Sequence, residues 1–207
     1  MDFENKPSDE SAAVRKSISY DQDEILRSIL ELHCPDGFEC DLTYGNGAFY
    51  KNITKPKHKY DLRVLADDVI ESCSTKIPHA DCSLHSIVFD PPFLTYIKDG
   101  NDSIMARRFS GYWTYDQLSD HYRKTIIEAG RVLKRSGVFV FKCQDIIHNH
   151  KMYCTHNNVI NWCGDTGFRL LDLYVLLAKS RMPVNKRGKQ KHARVYHSYF
   201  LVFLKTA

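Results

Sequence analysis

Asp90, Pro91, Pro92 and Phe93 close the apolar run Ser86-Ile87-Val88-Phe89, and together they have the makings of a binding site for an amine. Ile87, Val88 and Phe89 suit a strand buried on both faces, and two consecutive prolines end it because neither can donate to a sheet ladder. The strand therefore delivers Asp90 to its carboxyl end, the edge at which open α/β sheets bind ligands. There the Asp90 carboxylate and the Pro91 carbonyl can present two acceptors, matching the two protons of an exocyclic amine on a nucleobase. Pro91 and Pro92 fix the backbone torsions, and Phe93 offers a flat apolar face for a base that has left its helix. The same residues also fit a plainer account, a strand followed by a Pro-Pro turn with Phe93 plugging the core.

A second stretch, Phe38-Glu-Cys-Asp41-Leu-Thr-Tyr44-Gly45-Asn-Gly47-Ala-Phe-Tyr50, lies upstream. Gly45 and Gly47 permit a tight turn and a close backbone approach to a ligand, as in the first turn of a dinucleotide-binding unit. Gly-x-Gly alone is a weak signal. It gains weight from Asp61, which follows Asp41 by twenty residues and is placed to hydrogen-bond the hydroxyls of a ribose. Asp67 and Asp68 come next, candidates to hold an adenine ring.

With these residues the chain resembles the class I S-adenosylmethionine-dependent methyltransferases, in the amino-methylating branch that acts on adenine N6 or cytosine N4 of DNA. Asp41-Leu-Thr-Tyr44-Gly45-Asn-Gly47 resembles that branch's cofactor motif, and Asp90-Pro91-Pro92-Phe93 matches its catalytic tetrad. Related tetrads also serve enzymes that methylate protein side-chain nitrogens. The resemblance spans roughly residues 18 to 205, cofactor half first. It implies S-adenosylmethionine bound at Asp41, Tyr44, Gly45, Gly47, Asp61, Asp67 and Asp68, with methyl transfer at the tetrad. It also implies a single α/β domain with a seven-stranded, mostly parallel sheet, helices on both faces and an antiparallel last strand. DNA-acting members usually carry a separate target-recognition domain, for which there is no room here, so a second copy or a partner subunit would supply that role.

Two stretches fit a nucleic-acid partner, DNA ahead of RNA. The connection after the tetrad, residues 94–113, carries Arg107, Arg108, Phe109, Tyr112 and Trp113, the mixture of cations and rings that grips unpaired strands. Residues 179–194 hold seven basic side chains and no acidic one, among them Arg181, Lys186, Arg187, Lys189, Lys191 and Arg194. In the resembled fold this connection leaves from the edge that holds the tetrad, where it would bind phosphates.

The elements that must position these groups are legible as periods and caps. Asp21 and Glu24 read as a capping box opening a helix with the apolar stripe Ile25, Leu26, Ile29 and Leu30, which stops before Pro35-Asp36-Gly37. The lead-in Lys16–Tyr20 either simply enters that helix or folds over the methionine end of the cofactor. Thr114 and Gln117 read as another capping box, opening a helix to about Arg135 that Gly137 ends in a left-handed cap. Strands are expected at Tyr60–Val64, Val138–Lys142, Asp172–Ala178 and His197–Lys205, with a helix at Asn157–Thr166 ended by Gly167.

A chain of 207 residues with 43% hydrophobic and 26% charged residues has the size and composition of one globular domain; residues 1–16 show no apolar period and read as a mobile tail before a domain over 17–207. Seven cysteines without a Cys-x-x-Cys pair suit reduced thiols inside a cell. No signal peptide or membrane span is evident, so the expected location is cytoplasmic. His148, His150, Cys154, His156 and Cys163 fall at irregular spacings, and no metal site is assigned to them.

Overall fold

Apolar residues on both faces of three neighbouring strands build the centre of this protein. The computed structural model describes residues 14–95, 112–180 and 190–206. In chain order the elements are β1 (Ile18–Ser19), α1 (Gln22–His33), β2 (Cys40–Asp41), a 3₁₀ turn (Ala48–Tyr50), β3 (His58–Asp61), β4 (Ile70–Glu71) and β5 (Leu84–Phe89). There follow α2 (Tyr115–Val132), β6 (Leu133–Cys143), β7 (Ile146–His148), β8 (Lys151–Tyr153), α3 (Thr155–Asp165), β9 (Phe168–Leu177) and β10 (His197–Lys205).

Among the described residues the main sheet has eight strands in the order β1-β9-β10-β6-β5-β2-β3-β4. β10 runs antiparallel to both β6 and β9, and the other pairings are parallel. Side chains alternate across it. Ile87, Phe89, Phe139, Phe141, Leu201 and Phe203 pack on the face covered by α2 and α3, with Leu118, Tyr122, Ile126 and Val159. Val88, Val138, Val140, Phe200 and Val202 pack on the other, under Ile25, Leu26 and Ile29 of α1. Such double burial explains why these strands are continuous apolar runs.

The eighth strand departs from the expected seven. β9 would otherwise present an unpaired edge, and the lead-in Ile18–Ser19 pairs with Val175–Leu176 there. Asp21 caps α1 by accepting from the Asp23 N–H at 2.9 Å, but Glu24 does not complete a box; it accepts from Ser19 Oγ at 2.5 Å. Thr114 and Gln117 do form theirs. The helix they open ends at Val132, earlier than its apolar period suggests, because Leu133 already pairs with Leu84 as part of β6. The left-handed residue of the following irregularity is Ser136, φ 63°, not Gly137. Gly137 serves close packing instead: a Cβ there would lie 2.8 Å from the Lys134 carbonyl oxygen. Gly167, φ 84°, does follow α3 as expected. The short strand β4 and the antiparallel hairpin β7–β8 add to the strands expected from the sequence. The tail residues 1–13 lie outside the described residues.

Candidate active site

β2, β3, β5 and β6 are mutually parallel, so their carboxyl ends bring Asp41, Asp61, Asp90 and Lys142 to one edge of the sheet. Two hydrogen-bonded units form there, joined through Thr43.

The first is the glycine turn after β2. Gly45 and Gly47 have φ of 58° and 77°, the left-handed region that an L side chain enters only with strain. The Gly45 N–H donates to Asp61 Oδ2 at 2.8 Å, which ties the turn to the end of β3. A Cβ on Gly45 would meet nothing within 4 Å, so the turn opens toward free space. Gly47 is different: a Cβ there would lie 2.6 Å from the Tyr44 hydroxyl oxygen. The close approach Gly47 permits is therefore to Tyr44, whose ring stacks on Tyr50 at a centroid distance of 5.7 Å.

Asp41 faces inward beneath this turn. Its carboxylate is buried and accepts from the Tyr50 hydroxyl at 2.6 Å and the Thr43 N–H at 2.7 Å. Burial pushes its pKa up to about 7; the bonds from Tyr50 and Thr43 act against that, and the nearby Asp90 adds to it. Its contribution to any ligand thus passes through the shape of the turn. Asp67 and Asp68 are exposed beyond β3. Lys59 pairs with Asp68 and holds its carboxyl below the usual range.

The second unit is the tetrad. The Asp90 N–H donates to Thr43 Oγ1 at 2.8 Å, and Thr43 Oγ1 donates in turn to Asp41 Oδ1 at 3.3 Å. Asp90 Oδ2 accepts from Lys142 Nζ at 3.3 Å, and Lys142 also donates to Gln22 Oε1 at 2.9 Å. Burial raises the Asp90 pKa, and the Lys142 charge opposes the rise. On the far side the Tyr122 hydroxyl donates to the Pro92 carbonyl at 3.2 Å, pinning the second proline to α2. Pro91 is buried, while Phe93 is half-buried and packs against the core face of α2 and α3. The Tyr112 N–H meets the Leu94 carbonyl at 3.1 Å, so the segment between them starts and ends beside the tetrad. Arg107 and Arg108 lie in that segment, outside the described residues.

Thr43, Tyr50 and Tyr122 are members of this site that sequence reasoning missed. Lys142 was legible as a lysine closing the apolar run Val138–Phe141 at the edge that holds Asp90, and the structure adds its pairing with Asp90. Of the basic connection, Lys191 and Arg194 are described and exposed, just before β10 at this same edge, with Arg194 5.7 Å from the Tyr196 ring centre. Arg181, Lys186, Arg187 and Lys189 lie outside the described residues. Among the described residues no group of three or more His, Cys, Asp or Glu side chains is arranged to hold a metal ion. His156 instead meets Asp145 at 2.7 Å. No helix among them is long and apolar enough to cross a membrane.

No protein-family model matches the chain, and neither does any curated protein. Solved structures do match. A candidate sarcosine dimethylglycine methyltransferase from Galdieria sulphuraria superposes with a TM-score of 0.54 at 15% identity, over 89% of this chain and 85% of that one. A candidate methyltransferase from Bacillus halodurans gives 0.52 at 15% identity, over 88% and 99%. The fold is the class I methyltransferase fold. A candidate DNA modification methylase from Thermus thermophilus, complexed with S-adenosyl-L-methionine, matches at 18% identity with a TM-score of 0.43, over 63% of this chain. The chain spans about half of that protein's length, 51%.

Proposed function

We propose that this chain transfers the methyl group of S-adenosylmethionine to the exocyclic N6 amine of adenine in DNA. The observation that carries the reading is the juxtaposition at one sheet edge of an open glycine turn braced by Asp61 and an Asp-Pro-Pro-Phe tetrad whose first residue hangs on Thr43 at the start of that turn. The residues fit the cofactor. Gly45 leaves room beside the turn, the Asp61 carboxylate lies next to it for ribose hydroxyls, and the exposed side chains of Leu62, Val64 and Leu65 follow β3 as apolar cover for an adenine ring. When bound, S-adenosylmethionine supplies a methyl group on a sulfonium, whose carbon–sulfur bond breaks as the amine nitrogen bonds to the methyl carbon, leaving a neutral thioether.

The chain's own residues do the rest. Asp90 accepts a hydrogen bond from the amine, opposes the positive charge that grows on nitrogen, and receives the surplus proton for release to water. The Pro91 carbonyl accepts a hydrogen bond from the amine's other N–H, which the product keeps, and Phe93 supports the flipped base by stacking. Alignment of nitrogen, methyl carbon and sulfur supplies much of the rate, since the leaving group needs little further help. Lys191 and Arg194, exposed at the same edge, favour a polyanionic substrate.

The test is to incubate the protein with methyl-labelled cofactor and separate pools of duplex DNA, single-stranded DNA, RNA and protein, then digest and identify the labelled product. N6-methyladenine from DNA is expected. Asp90→Ala should keep cofactor affinity and lose on the order of a hundredfold or more in turnover. Label in RNA or on a protein nitrogen would move the reading to that substrate, and near-normal turnover in Asp90→Ala would reduce the tetrad to a turn.

A further inference from the structure

Lys142 is a buried cation without an obvious structural need. It ends the apolar run of β6, its side chain is 11% exposed, and burying an ammonium costs several kcal/mol unless partners compensate. Its partners converge from separate elements: Asp90 Oδ2 at 3.3 Å, Gln22 Oε1 of α1 at 2.9 Å, and the faces of Phe49 and Phe200 at 5.1 and 5.3 Å. Pairing of Phe89 with Phe141 puts position 142 beside position 90, so the contact follows from the register of the sheet. The ion pair uses one Asp90 oxygen. Among the described residues no donor reaches the other, Oδ1.

Resting on the function proposed above, we propose that Lys142 is a positioning residue of the methyl transfer, an ammonium that keeps Asp90 a carboxylate and holds it in the rotamer that offers Oδ1 to the acceptor amine. The groups around Asp90 explain the need. Asp41 from β2, Tyr50 from the 3₁₀ turn and Tyr122 from α2 surround it, and the Asp90 charge raises the pKa of each, but none of them brings a positive charge. Burial also favours the neutral carboxyl. A neutral Asp90 could neither oppose charge on the amine nor take its proton. Lys142, from β6, is the cation that opposes this effect of burial, and Gln22 holds it in place.

The experiment compares the unaltered protein with Lys142→Met, which keeps length without charge, and Lys142→Arg, which keeps charge. Asp90 titration is followed by carbon-13 NMR of aspartate-labelled protein, assigned with Asp90→Asn. A removed partner charge at this range should raise the midpoint by about 1–3 pH units in Lys142→Met. The acid limb of kcat/KM should move up by the same amount, with activity returning at high pH, while Lys142→Arg stays close to the unaltered protein in both. Affinity for the neutral product S-adenosylhomocysteine, measured by calorimetry, should not change. Should Lys142→Met fail to fold, Lys142→Gln supplies the same comparison with a side chain that can still bond Gln22. An unmoved Asp90 midpoint overturns the proposal, as does a pH-independent loss of rate or a loss of product affinity, which would make Lys142 a cofactor ligand. Absence of methyl transfer by the unaltered protein on every pool would remove the function itself; an unmoved midpoint in an active Lys142→Met enzyme removes only the role of Lys142.

Discussion

Replacing Asp41 by asparagine should change how the stability of this protein depends on pH. Asp41 is 1% exposed, and its burial lifts the carboxyl from an ordinary 3.8 to about 7 in spite of the donors from Tyr50 and Thr43. A carboxyl raised on folding binds its proton more tightly in the folded state. Its stabilising contribution is therefore complete below about pH 4 and is lost as the pH climbs through the folded value near 7. A rise from 3.8 to about 7, at about 1.4 kcal/mol for each pH unit, amounts to about 4 kcal/mol, of which about 3 kcal/mol falls between pH 4.5 and 8. Asparagine keeps an acceptor oxygen for Tyr50 but has no proton to titrate.

Urea unfolding followed by far-ultraviolet circular dichroism at several pH values from 4.5 to 8 gives the comparison. Titrating groups remote from Asp41 shift both proteins alike, so the difference between the curves reports Asp41 and its coupling to Asp90. The unaltered protein should lose about 3 kcal/mol relative to Asp41→Asn across that range. Parallel curves would refute the reasoning: Asp41 would then be charged already at pH 4.5, and the hydrogen bonds from Tyr50 and Thr43 would outweigh burial.

Gly45→Val forces a β-branched residue to φ 58°, at a cost of about 1–3 kcal/mol; calorimetry should show cofactor affinity reduced roughly ten- to hundredfold, and unchanged affinity in a folded variant would remove the turn from the site. Tyr122→Phe deletes the donor to the Pro92 carbonyl, so urea melts should show a loss of about 1–3 kcal/mol, with turnover falling and cofactor affinity retained. Lys191→Glu with Arg194→Glu should weaken DNA binding and lower the log-log salt slope by about 2 if each side chain neutralises a phosphate. A slope that ignores both changes would take these residues out of the interface.

The strands and caps that depend on neighbours in sequence were readable from the chain. β5, β6 and β10 are apolar on both faces, and Thr114 with Gln117 forms the expected box. Local signals misled where a distant partner offered something better. Glu24 has the spacing of a capping residue but bonds Ser19, which β1 holds against β9. Asp41 has the position of a cofactor ligand, yet Tyr50 turns its carboxylate inward. Gly47 has the look of a ligand-facing glycine, and the group pressed against it is Tyr44.

The same limit explains why the tetrad could be read as chemistry while its supports could not. Asp90, Pro91, Pro92 and Phe93 are contiguous, and their meaning lies in their order. Thr43, Tyr122 and Lys142 reach them from the turn after β2, from α2 and from β6, at separations of 47, 30 and 52 residues. Only strand order and register bring them together. Once Phe89 is paired with Phe141 and Asp41 with Val88, alternation along the strands puts Asp90 and Lys142 on the face of α1, the face that also buries Val88 and Val140. Phe89 and Phe141 take the opposite face, against Tyr122. The tetrad is thus gripped from both sides of the sheet, by charge at its aspartate and by a hydrogen bond at its second proline. Loosening one grip should not release the other, so combining Tyr122→Phe with Lys142→Met should add their effects on turnover, unless the backbone between Asp90 and Pro92 carries strain from one to the other.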